Sequence, residues 1–313
     1  MRLDGKQLSP QSEAMKKTFQ VSLGRAAEAT ESALEELLSS DPRPGEIARP
    51  EQLLSAMRHA ALGGGKRLRP FLLIESARLF GKTGEMVIQT AAALECLHCY
   101  SLVHDDLPAM DDDDLRRGRP TVHKAFDEAT AILAGDALLT LAFDILAGLD
   151  DDANVRIELI GGLARSAGIG GMAGGQMLDL AAENAPQDEK AVRRLQSMKT
   201  GALIRFACEA GAILGGASDT DRASLIAYGN CLGQAFQLAD DLIDVTGQTA
   251  SAGKTTGKDA ARGKATLIAI HGIAGARARL DETIDEAIGL LAPFGTRGAI
   301  LTDGARFIAS RES

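Results

Sequence analysis

Six of the ten residues from Asp105 to Asp114 are aspartates, and a second set, Asp240, Asp241 and Asp244, lies about half a chain further on. The first set stands in HDDLPAMDDDDLRRGRP (104–120), the second in QLADDLID (237–244). Each follows an apolar run with helical spacing, so each sits near the C-terminal end of a helix. That end already carries partial negative charge, and carboxylates belong at the other. One such cluster alone reads as well as a solvated acidic helix end. Two that break the same local rule point to function. Divalent cations relieve the repulsion, and carboxylate oxygens suit Mg2+, which shares its shell with water and phosphate oxygens. Neither segment has the spacing of an EF-hand calcium loop. Asp240 and Asp244 are four apart and share one helix face, with Asp241 about 100° round from Asp240. Asp105 and Asp111 are six apart, which a straight helix would not align. Pro108 ends the helix and lets the chain turn Asp111 back toward Asp105.

Basic groups complement the aspartates. GGGKRLRP (63–70) places Lys66, Arg67 and Arg69 after a glycine loop and beside a helix start. Free N–H groups and the positive helix end there favour a phosphate. Arginine adds bidentate contacts and lysine a point charge. Read alone, the motif is equally a solvated basic turn. Arg116 and Arg117 follow the first aspartate cluster directly. Lys199 with Thr200, and Lys254 with Lys258 and Lys264, are weaker candidates, since lone lysines are usually solvated. His98 lies two helical turns before Asp105 and faces nearly the same way. Its alternative is a satisfied core histidine.

The elements that must position these groups are helices. The spacing predicts them near 11–39, 51–62, 69–80, 85–107, 127–149, 154–167, 171–183, 188–215, 220–245, 265–293 and 297–310. Strand-like alternation is missing and aromatics are only 4% of residues, so no sheet is expected. The runs at 85–107 and 127–149 are apolar on most faces, which places them at the centre of a large bundle. The fold class is all-α, and residues 1–313 read as one domain with no flexible linker. A net charge of −9 argues against nucleic acid. No apolar run approaches the roughly 20 residues of a bilayer span, and the start lacks the apolar core of a signal peptide. The expected compartment is the cytoplasm. Cys96 and Cys99, like Cys208 and Cys231, read as small buried residues rather than a metal or disulfide framework.

With these residues in view, the chain resembles the trans-isoprenyl diphosphate synthase family, and its bacterial members that make farnesyl diphosphate in particular. The resemblance rests on GGGKRLRP (63–70), SLVHDDLPAMDDDDLRRGRPTVHKAF (101–126), GDALLT (135–140), GGQMLDL (174–180), MKTGALI (198–204) and FQLADDLIDVTG (236–247). It implies a helical bundle of the isoprenoid synthase type, a homodimer, and condensation of isopentenyl diphosphate with dimethylallyl or geranyl diphosphate. It implies three Mg2+ ions, with Mn2+ as a substitute, on Asp105, Asp111 and Asp240, supported by Asp106 and Asp244. Arg116, Lys199 and Lys254 would hold the allylic diphosphate. Lys66, Arg69, His98 and Arg117 would hold isopentenyl diphosphate. Gln176, Thr200 and Gln237 would line the reacting centre, and Lys264 belongs to a substrate-binding loop.

Tyr100 and Ser101, about one turn before Asp105, are expected to floor the cavity and stop growth at fifteen carbons. The alternatives are a geranylgeranyl diphosphate synthase of the same family, or a helical regulatory subunit without catalysis. The second would have decayed aspartates, and both clusters are complete. Two departures stand out. The family's G-K-x-T-Y-P stretch reads GKATLI here, keeping Lys264 and Thr266 but not the Tyr-Pro pair. The tail offers only Arg311 where family members often carry a basic end.

Overall fold

Helix starts are set by side chains that accept the first free N–H groups. Asp127 caps one helix by accepting from Thr130 N at 2.7 Å, Asp152 accepts from Asn154 N at 2.8 Å, and Asp188 from Ala191 N at 2.8 Å. A computed structural model describes residues 10–182, 188–246 and 267–310. In chain order the first helices are α1 (Pro10–Leu37), α2 (Glu51–Ala61), α3 (Leu68–Arg78) and α4 (Glu85–Asp105). An antiparallel hairpin follows, β1 (Leu115–Arg116) with β2 (Arg119–Pro120), and then the single turn α5 (Val122–Ala125). The remaining helices are α6 (Glu128–Ala147), α7 (Ala153–Ala167), α8 (Met172–Ala182), α9 (Glu189–Gln196), α10 (Ala202–Leu214), α11 (Asp219–Thr246), α12 (Leu267–Leu290) and α13 (Ala299–Ala309).

α4 packs along α6, α10 lies between α3 and α11, and α11 packs along α12. Their facing sides form one continuous buried cluster that includes Phe71, Leu94, Leu97, Leu138, Phe206 and Tyr228. Each such side chain contributes roughly 2 kcal/mol by leaving water. The Tyr228 hydroxyl, buried with its ring, donates to the Leu301 carbonyl at 2.6 Å and ties α11 to α13.

The structure departs from the sequence reading in four places. Residues 188–215 are not one helix: a π turn, Ser197–Gly201, separates α9 from α10. Gly201 and Thr200 weaken a helix here without ending it, and nothing in SMKTG marks a π bulge as such. The hairpin at 115–120 is a second departure, built on the tip residues Arg117 and Gly118, both at positive φ (54° and 75°). Third, α6 is not central. Ile132 and Leu133 are 45% and 57% exposed, so this all-round apolar helix leaves one side uncovered within the chain. Fourth, α4 and α6 are both long and apolar enough to cross a membrane by length and composition, which corrects the expectation that no run approaches a span. Most of the α4 stretch is buried in the bundle.

Candidate active site

The first aspartate cluster folds back as Pro108 suggested. α4 ends at Asp105, and the Asp111 N–H donates to the Asp105 carbonyl at 2.8 Å. Asp113 N–H donates to the Asp106 carbonyl at 3.2 Å, and Asp112 takes a left-handed φ of 50° to close the turn. Asp105 and Asp111 are thereby brought together. The Asp105 carboxylate accepts from Gln176 Nε2, and Lys199 Nζ stands 3.7 Å from its other oxygen. Burial pushes its carboxyl up to about 6, with Asp111 and Asp179 adding repulsion and Lys199 and Arg116 opposing. Asp106 lies beneath, only 3% exposed, and grips Arg116, which also reaches Asp113 at 3.4 Å.

The π turn delivers Lys199 and Thr200. Gly174 and Gly175 let α8 approach it so closely that a side chain at Gly175 would collide with the Lys199 backbone. Gly233 of α11 makes the same close approach to Gly201 from the other side. Lys199 Nζ donates to Asp179 Oδ2 at 2.7 Å. Burial opposes the charge on Lys199, but Asp105 and Asp179 outweigh it and raise its pKa. Asp179 escaped the sequence reading. Its signal was its place three residues after Gln176, on the same helix face.

Thr200 Oγ1 donates to Gln237 Oε1 at 3.3 Å, and Gln237 Nε2 donates to Asp241 at 3.0 Å. Asp241, 3% exposed, also accepts from Gln196 at 3.2 Å. It anchors α11, while Asp240 and Asp244 on the same helix are half-buried. The π turn thus serves both clusters: Lys199 stands beside Asp105, and its neighbour Thr200 bonds Gln237, which bonds Asp241 of the second cluster.

The basic groups sort into two kinds. Arg69 Nη1 lies 3.3 Å from His98 Nε2, and Arg69 Nε is buried without a hydrogen-bond partner. Burial holds the Arg69 pKa down, and Glu95 and Asp240 pull it back up, so the second aspartate cluster acts on this arginine. Burial also pushes His98 well below its ordinary value, and Arg69, Arg117, Arg67 and Arg116 push the same way. The arginines around His98 therefore favour its neutral form. Arg117 donates to the Gly64 carbonyl and lies against Gly65, where φ is 128°. Lys66 Nζ stands 5.5 Å over the Phe307 ring near the end of α13.

Arg67, expected beside Lys66 and Arg69 at a phosphate, turns into the core instead. A left-handed φ of 46° reverses its side chain onto Glu95 at 2.6 Å, Glu31 at 3.0 Å and the Ala61 carbonyl at 2.5 Å. Its partner Glu95 is 2% exposed and was not singled out from the sequence.

Ser101 Oγ donates to the His98 carbonyl at 2.7 Å. Tyr100 is half-buried and meets the His104 ring edge-on at 5.7 Å, while His104 Nε2 bonds the Ile132 carbonyl at 3.0 Å. This face of α4 looks toward α6. Lys254, Lys264, Thr266 and Arg311 lie outside the described residues.

Carboxylates from two helices, one lysine and a histidine–arginine group, joined in one network on an all-helical frame, define a site for polyanionic ligands. The polyprenyl synthetase family model matches residues 50–292, and the chain belongs to that family. It is 49% identical to the farnesyl diphosphate synthase of Escherichia coli, over 75% of this chain and 80% of that one. It is 41% identical to the farnesyl diphosphate synthase of Geobacillus stearothermophilus, over 84% and 90%. An apo crystal structure of an FPP/GFPP synthase from Zymomonas mobilis superposes with a TM-score of 0.84 at 43% identity, covering 94% of this chain and 99% of that one. The fold is the helical isoprenoid synthase type.

Proposed function

We propose that this protein is a trans-prenyltransferase that joins isopentenyl diphosphate to dimethylallyl or geranyl diphosphate and makes farnesyl diphosphate. Its relatives named farnesyl diphosphate synthase support the product class. The observation that carries the reading is the π turn, whose adjacent Lys199 and Thr200 reach Asp105 and, through Gln237, the second aspartate cluster, while Asp240 of that cluster acts on Arg69, which is paired with His98.

The carboxylates fit divalent cations. Asp105 and Asp111 are forced together, and the raised pKa of Asp105 records a charge that the protein alone leaves under-compensated. No three acidic, histidine or cysteine side chains among the described residues close on one point. Mg2+ held by Asp105, Asp111 and Asp240 would take its other ligands from water and diphosphate oxygens. When bound, it would neutralise charge on the departing diphosphate.

The chain's own residues do the rest. Lys199, with Arg116 and Lys254, places positive charge on the allylic diphosphate as the C–O bond breaks. Arg69, Arg117 and Lys66 hold isopentenyl diphosphate, with neutral His98 beside Arg69. The held double bond attacks the allylic cation, a new C–C bond forms, and the departed diphosphate takes the lost proton. Apolar helix walls keep water from the cation. Tyr100 limits the product to fifteen carbons. The uncovered apolar side of α6 suits a second copy of the chain, giving a homodimer.

The test is product analysis with labelled isopentenyl diphosphate and geranyl diphosphate, with and without EDTA. A fifteen-carbon product that EDTA abolishes supports the reading. No product in Mg2+ refutes it.

A further inference from the structure

Lys66 and Arg69 reach the site from the glycine loop before α3, whereas Arg117 reaches it from the hairpin tip, more than forty residues later. A single diphosphate can use both sets only if loop and hairpin keep a fixed spacing. Two bonds from α2 meet this need. His59, in the last turn of α2, lies against the hairpin's second strand. Its Nε2 is 2.8 Å from the Pro120 carbonyl, and its Nδ1 is 3.0 Å from Arg119 Nη2. A carbonyl only accepts and a guanidinium only donates, so Nε2 carries the proton and Nδ1 accepts. The ring is a bridge with both ends used. Phe126 packs edge-on against it at 5.9 Å and limits its rotation. Arg119 in turn lies beside Gly63, where an added side chain would come within 3.2 Å of its guanidinium. Arg117 therefore bonds the glycine loop while Arg119 lies along it at the neighbouring residue, and His59 orients Arg119.

We propose that His59 is a positioning residue for the isopentenyl diphosphate site: with Arg119 it pins the hairpin to the glycine loop and sets the separation of Arg117 from Lys66 and Arg69. This rests on the proposed prenyltransferase reading. His59 acts through the hairpin, whereas Asp105 and Lys199 stand on α4 and the π turn, and Arg116 on the hairpin's first strand is held independently by Asp106 and Asp113.

The experiment compares His59→Ala, Arg119→Ala, the double variant and His59→Gln with the parent. KM for isopentenyl diphosphate should rise about five-fold in each single alanine variant. KM for geranyl diphosphate and kcat should stay within about two-fold. The double variant should be no worse than His59→Ala, which already removes both bonds of the bridge. His59→Gln, whose amide can donate to Pro120 and accept from Arg119, should recover most of the loss. An unchanged KM for isopentenyl diphosphate, or equal rises for both substrates together with a lower melting point, would overturn the proposal. A parent that forms no prenyl product refutes the reaction rather than the pin. Amide exchange over residues 115–120, which needs no turnover, then decides the pin: faster exchange there in both alanine variants is required, and unchanged exchange rejects it.

Discussion

Lys199 Nζ bonds Asp179 at 2.7 Å and stands 3.7 Å from Asp105, so Asp179 keeps the ammonium from closing fully onto Asp105. The arrangement keeps Lys199 charged beside Asp105 without a full hydrogen bond between them. Asp179→Asn should let Lys199 collapse onto Asp105. The expected result is a drop of about ten-fold in kcat, with the fold retained. Steady-state kinetics and far-ultraviolet circular dichroism check this. Full activity would show that Asp179 has no part in placing Lys199.

The Asp105 carboxyl, raised from 3.8 to about 6 chiefly by burial, gives a pH test with a definite sign. The folded protein holds this proton more tightly than the unfolded chain does. The group's contribution to stability is therefore complete below about pH 4 and is lost as pH rises through about 6. In EDTA, Asp105→Asn should melt above the parent near neutral pH, and the gap should shrink toward zero near pH 4. Scanning calorimetry across that range measures it. A gap that does not change with pH would contradict the assignment.

Arg67 and Glu95 form a pair with side chains 0% and 2% exposed. Removing one strands the other in the core, at a cost of about 3 kcal/mol or more. Arg67→Ala should lower the unfolding free energy from urea titration by that amount, although Arg67 faces no substrate. A shift typical of a surface residue would show that the pair is not buried in solution.

Tyr100 bears on product length. Tyr100→Ala should extend the product beyond fifteen carbons, read by chromatography of the dephosphorylated alcohols. Unchanged length would move the floor to another residue.

The helices and both aspartate clusters were legible because apolar spacing and repeated carboxylates leave strong local signals. The fold-back of Asp111 was legible too, since Pro108 cannot continue the helix. Three features were not. The π turn has weak helix formers but no breaker that marks a bulge, and the close approach of Gly175 and Gly233 from two other helices is a tertiary feature with no local signal. Arg67 and Arg69 look alike in GGGKRLRP, and only the left-handed backbone at Arg67 sends one inward and leaves the other at the site. The apolar composition of α6 pointed to the centre of the bundle, because composition does not distinguish a face covered by the same chain from one left open.

The central claim is that two carboxylate sets, far apart in sequence, act on one allylic diphosphate. The most direct test is turnover of labelled isopentenyl diphosphate with geranyl diphosphate in Mg2+ by the parent, Asp105→Asn and Asp240→Asn. Each substitution should lower kcat at least about a hundred-fold, as loss of charge stabilisation at a breaking C–O bond requires. Parental turnover in Asp240→Asn would contradict it, because only the first cluster would then be at work.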